Sequence, residues 1–162
     1  DRFKRQSALP NFPVKASQLE DSHLGLYHGA IGQNGEAYAA FNLDEMVAKG
    51  YDYWALGHIH IRQVLHENPM VAYSGNLQGL NRNETGPKGF YLVSDEAGLG
   101  LQAEFRPVAP VVWENSALAD CPDLATLQEE LSARDFNETT LLSIQLTGTI
   151  GQELRENDSW GL

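Results

Sequence analysis

The chain has 162 residues, of which 42% are hydrophobic and 20% charged, and its 11 basic and 22 acidic side chains leave a formal net charge of -11. That length holds one domain with a real core, or one domain and part of a second, and the composition excludes the disordered, collagen-like and coiled-coil classes. An acidic surface repels phosphate backbones, which excludes a broad basic face for gripping nucleic acid. No apolar run approaches the ~20 residues a membrane span needs, and DRFKRQSALP at the start lacks an apolar signal core, so a cytoplasmic chain without membrane contact is expected.

Taken in order, the first twenty residues carry two prolines and four basic side chains without a clear period and are expected to be an irregular lead-in. His23 to His28 (HLGLYH) is an apolar strand candidate, followed by a glycine-rich turn segment, Gly29 to Tyr38. A short helix follows: Asn42 is a good N-cap, Glu45 stands where a capping box needs it, Leu43, Met46 and Val47 form the stripe, and Gly50 closes it. YDYWAL, ending at Gly57, is a buried strand. Strands are also expected at Val71 to Ser74, Gly89 to Ser94 and Leu99 to Arg106, the last two joined by a hairpin at Asp95 to Gly98. The polar loop from Gly75 to Lys88 is long enough to need a functional reason.

Pro107 and Pro110 mark a boundary between residues 1–108 and 109–162. Beyond it the pattern is strand (Val111 to Asn115), helix (Asp123 to Arg134, with Leu124, Leu127 and Leu131 on one face) and strand (Thr140 to Leu146). The single cysteine, Cys121, excludes an internal disulfide or a multi-cysteine zinc cage, and in ADCPDLA it is expected to be a small surface residue at a helix start.

The chemistry concentrates in the histidines. In YWALGHIHIRQVL, a buried segment ends in a glycine and then His58-Ile59-His60; residues two apart on a strand share a face, and neutral imidazole is the commonest metal ligand. His28 ends another apolar segment in the same way, ahead of Gly29. Sites in sheet enzymes gather beyond strand ends. His23 and His66 are expected to be structural or exposed, with His66 in a turn. No Ser-His-Asp set, GxGxxG, Walker loop or HExxH helix competes for the assignment.

GYDYWALGHIH followed by VAYSGNLQGLNRNETGPKGFYLV resembles the C-terminal half of the catalytic domain of calcineurin-like metallophosphoesterases, in the SbcD-type DNA repair exonuclease branch. Gly57-His58-Ile59-His60 matches the GHxH motif, and Tyr27-His28-Gly29 is similar to the isolated strand-end histidine. The resemblance covers Leu24 to about Val93, and Val111 to Ile150 more loosely as the start of a capping domain. It implies an α/β fold: the C-terminal half of an αββα sandwich plus the beginning of a small α/β cap. It further implies a two-metal site, usually manganese, with His28 and His58 on one ion and His60 on the other, and Asn76 and Glu84 either positioning groups or structuring the turn. The Asp-x-His, Gly-Asp-x-x-Asp and Gly-Asn-His motifs that supply the other ligands would lie upstream of Asp1, so this chain alone is expected to be inactive. Implied partners are DNA or another phosphodiester, met through the complete protein, and an SbcC-like ATPase. A half-sandwich is also expected to self-associate. Two other readings stand beside the nuclease: a non-catalytic interaction or capping module, and a single-zinc hydrolase using the three histidines.

Overall fold

The computed structural model describes residues 6–15, 21–32, 38–96 and 100–155. In chain order the elements are β1 (Leu24–His28), α1 (Leu43–Val47), β2 (Tyr53–Gly57), β3 (Gln63–Glu67), β4 (Met70–Tyr73), β5 (Gly89–Glu96), β6 (Gly100–Pro107), β7 (Val112–Cys121), α2 (Leu124–Ser132), β8 (Thr140–Ile150) and α3 (Gln152–Arg155). The protein is mixed α/β, with small sheets and few helices. It divides into two units, one drawn from residues 1–78 and 87–109 and the other from 79–86 and 110–162.

The first unit is built on a four-stranded sheet ordered β1-β2-β4-β3. β1, β2 and β4 run parallel, with Tyr27 beside Leu56 and Leu56 beside Tyr73. β3 turns back antiparallel on β4. Alternation along the strands sends Tyr27, Trp54, Leu56, Val71 and Tyr73 to one face, where they join Leu9, Phe41, Met46 and Tyr51 in the core. The Tyr51 and Trp54 rings stack at 4.6 Å, and Tyr27 meets Phe41 edge-on at 5.5 Å.

Met46 is the buried residue of α1, whose start is fixed as the sequence predicts: Asn42 Oδ1 accepts the Glu45 N–H at 3.1 Å. Of the lead-in, residues 6–15 are described, and there a 3-10 turn at Leu9–Asn11 buries Leu9 in the core. On the other sheet face Leu24 and Leu26 of β1 are 53% and 75% exposed. β5 and β6 form a separate antiparallel ribbon whose register runs from Gly89↔Pro107 to Glu96↔Gly100; of the expected hairpin connection, Asp95 and Glu96 belong to β5 and residues 97 and 98 lie outside the described residues.

In the second unit β7 and β8 pair in parallel, joined through α2. Asp123 caps α2, its Oδ1 accepting the Thr126 N–H at 2.8 Å. The Trp113 indole N–H donates to the Gly79 carbonyl at 3.2 Å, and the Gly86 N–H to the Trp113 carbonyl at 3.0 Å, which attaches segment 79–86 to β7. No helix among the described residues is long and apolar enough to cross a membrane.

Three expectations are corrected. His66 lies in β3 rather than in a turn, its Nδ1 2.7 Å from the Pro69 carbonyl; β3 is a short edge strand with mostly exposed side chains and lacks the apolar run that marks buried strands. The strand expected at Val111 to Asn115 continues to Cys121 because its polar alternation suits a half-exposed face. Cys121 is therefore a buried strand end, 1% exposed, and not a surface residue.

Gly25 faces Trp54, and a Cβ there would stand 2.6 Å from the indole Cδ2. Since Trp54 is fully buried, it has no free space into which to yield. Gly25→Ala is expected to destabilise the chain by about 1–3 kcal/mol, read as a lower urea midpoint with an unchanged slope.

Candidate metal centre

The β1–β2 register sets His28 beside Gly57, so two parallel strands end level and both deliver histidines beyond their C-terminal edge. The Gly29 N–H donates to the Gly57 carbonyl at 3.1 Å and carries the ladder one step further. Gly57 is required for this closeness: a Cβ would stand 2.8 Å from His28 Nδ1. His58 then leaves the strand with φ of 105°, backbone rarely adopted by a residue with a side chain and found mostly at functional sites. The expectation that His58 and His60 share a face as strand residues is thus corrected, because β2 ends at Gly57. The pair nevertheless meets in one place: His28, His58 and His60 all line a cavity of about 400 Å³, with Ser74, Gly75 and Asn76 on its wall.

The His28 and His58 ring centres are 5.5 Å apart at an interplanar angle of 77°. Tyr38 lies against both, stacked on His58 at 5.0 Å and 12° and meeting His28 edge-on at 5.7 Å. Sequence reasoning missed Tyr38, whose only signal is an aromatic ring at the end of a glycine-rich turn. Tyr73 supports the same segment from beneath, its hydroxyl donating to the Gly29 carbonyl at 2.7 Å. Burial pushes the Tyr73 phenol up to about 12, against the lowering effect of a hydrogen bond with the Ile31 backbone.

The His60 peptide is held on two sides. Its carbonyl accepts the Asn76 N–H at 3.2 Å and the Lys88 ammonium at 3.3 Å. Gly75, at φ of 79°, packs beneath that carbonyl, where a Cβ would come within 2.7 Å of the oxygen. Asn76 therefore both lines the cavity and anchors His60. Glu84 belongs to the second unit, where its carboxylate accepts the Leu80 N–H at 2.9 Å and the Asn81 side-chain amide at 3.4 Å; these bonds match the turn-structuring role. The triplet Asp21-Ser22-His23 spells Asp-x-His but precedes β1, at the opposite strand end from His28, and His23 Nδ1 lies 2.9 Å from the Asp21 carbonyl.

Imidazole nitrogens bind divalent metals at about 2.0–2.1 Å, and two rings with centres 5.5 Å apart are near enough to share an ion. Three nitrogen donors around one cavity fit a divalent metal in kind. They do not make a full cage: among the described residues no three His, Cys, Asp or Glu side chains converge as a preformed metal site.

No protein-family model matches the chain. A protein of Bacillus subtilis (strain 168), the "Uncharacterized metallophosphoesterase YhaO", is 46% identical over 121 residues. This chain is similar in sequence to that metallophosphoesterase. The alignment takes in 72% of this chain and 29% of the Bacillus protein, so the metallophosphoesterase likeness extends to well under half of that relative's length.

Removing the Tyr73 hydroxyl would leave the Gly29 carbonyl without that donor in a buried place. Tyr73→Phe is expected to cost about 1–3 kcal/mol, measured by chemical denaturation. The raised phenol also fixes the sign of an alkaline effect. Its stabilisation is present below the free phenol's value of 10.0 and is lost as pH rises through that value toward about 12. The wild-type chain should lose stability in that window more steeply than Tyr73→Phe.

Proposed function

We propose that this chain is the histidine-bearing part of a metal-dependent phosphodiesterase of the SbcD type, with DNA or another phosphodiester as substrate and two manganese ions in the complete centre. The carrying observation is the level ending of β1 and β2, which brings His28 and His58 to 5.5 Å at a cavity that His60 also lines. The likeness to the Bacillus metallophosphoesterase supports metal-dependent phosphoester chemistry.

In this reading His28 and His58 hold one ion and His60 the other. Bound divalent ions supply charge stabilisation for phosphoryl oxygens and lower the pKa of water. The chain's own residues bind and orient. Gly57 leaves room for His28, Tyr38 packs against both rings, and Asn76 lines the cavity while its N–H holds the His60 carbonyl.

The lack of a three-residue cage among the described residues supports the narrower expectation for the isolated chain. It binds metal weakly and hydrolyses nothing, acting as a folded module until further carboxylate ligands complete the site. With a net charge of -11, it also leaves contact with DNA to the rest of the protein or to an ATPase partner.

Calorimetric titration of manganese into the chain tests the reading. Binding is expected in the wild type and a loss of at least tenfold in affinity in His28→Ala, His58→Ala and His60→Ala, by the scale on which ligands and their supports affect metal sites. Equal binding in all four proteins would defeat it, and one tight zinc per chain with catalysis would favour the single-zinc alternative. In the complete protein, His58→Ala should abolish phosphodiester hydrolysis.

Self-association belongs to the same proposal. β1 is an edge strand with Leu24 and Leu26 outward, a surface suited to pairing with a second copy. Sedimentation velocity is expected to show a dimer that added salt strengthens, by screening the negative charge, and that Leu26→Lys dissociates. A wild-type monomer at all concentrations tested would end that proposal.

A further inference from the structure

The mechanism above leaves one buried cation without a task. Lys88 is only 3% exposed, and its residue type is almost never found inside without a partner. Its backbone is pinned to the end of β6, the Lys88 carbonyl accepting the Val108 and Ala109 N–H groups at 2.9 and 3.2 Å. From that fixed base the side chain reaches across 28 residues of sequence to the His60 carbonyl. An ammonium withdrawn from water requires hydrogen bonding to offset its desolvation. Here a main-chain oxygen receives the ammonium, and it belongs to a histidine of the candidate metal centre.

The setting gives that bond leverage. After β2 ends at Gly57, residues 58–62 are outside any strand, so no ladder sets the orientation of His60. Among the contacts that hold them are the Asn76 N–H and Lys88 ammonium on the His60 carbonyl, Gly75 packed beneath it, and the Arg62 guanidinium lying 4.2 Å from the centre of the Phe105 ring in β6. Two tethers, Lys88 and Arg62, tie the segment to the β5–β6 ribbon.

We propose that Lys88 is a positioning residue: by clamping the His60 carbonyl from the β5–β6 ribbon, it sets the place of the His60 imidazole in the cavity. The proposal rests on the metal-centre reading for its functional consequence, although the clamp itself is a feature of the protein without metal. Lys88 touches no substrate in this scheme and acts through His60.

The test compares Lys88→Met, which keeps the length and burial of the side chain but not the donor, with Lys88→Arg, which keeps a donor. Folding of both is checked by circular dichroism. The readout independent of metal is the ring carbon–proton resonances of the five histidines in the metal-free chain. Expected are a shift of the His60 resonances in Lys88→Met, little change at His23 and His66, and return toward wild-type positions in Lys88→Arg. Manganese affinity should fall about tenfold in Lys88→Met and recover in Lys88→Arg. A folded Lys88→Met with unmoved His60 resonances overturns the proposal, as does a shift shared equally by all five histidines, which would mark general loosening. If Lys88→Met fails to fold, Lys88→Arg decides: displaced His60 resonances in a folded arginine variant also overturn the clamp. Absence of manganese binding by the wild type would defeat the metal reading while leaving the resonances to judge Lys88.

Discussion

A missing β-carbon lets two parallel strands stop side by side. With Gly57 opposite His28, β1 and β2 pair to their last residues, and the His28 imidazole occupies space that any side chain at 57 would contest. The core on the opposite face is what keeps this register. Gly25, Tyr27, Trp54, Leu56, Val71 and Tyr73 alternate with the outward residues, so a slip by one position would turn Trp54 to the open face and His28 into the core. Burial of one face thus determines where the histidines emerge on the other side.

The parts of the fold that were legible in sequence are those set locally. Asn42 and Asp123 cap their helices through their own side chains, and the YDYWAL strand announces itself by aromatic content and a closing glycine. What could not be read depends on partners distant in sequence. β3 is a strand because β4 offers it an edge, not because QVLHE has a strong pattern. Cys121 is buried because β7 continues beside β8, and Leu9 because Tyr27 and Phe41 lie where it can reach them. At the site the three histidines were legible from spacing and from their glycine neighbours. Tyr38 and Lys88 were not, since each is drawn in by tertiary contact alone.

In the proposed reading, charge and donor type divide the work of the site between this chain and the further ligands it would need. Imidazoles contribute no negative charge, so in the proposed two-metal centre histidines alone would leave the divalent ions uncompensated; carboxylates normally supply the balance. The acidic surface does not replace them, because exposed charges more than about 10 Å away are largely screened at ordinary salt. On the proposed reading, this is why the histidine wall alone would not support catalysis.

The backbone at His58 shows how firmly that wall is built. A non-glycine residue at φ of 105° stores on the order of 1–3 kcal/mol, and it persists only where neighbours determine its position. Here the register fixes Gly57, Tyr38 stacks on the His58 ring, and two donors hold the His60 carbonyl just beyond. A flexible loop could present the same three imidazoles without strain, but it would lose conformational entropy on each binding event. Strained backbone between fixed anchors has already met that cost during folding.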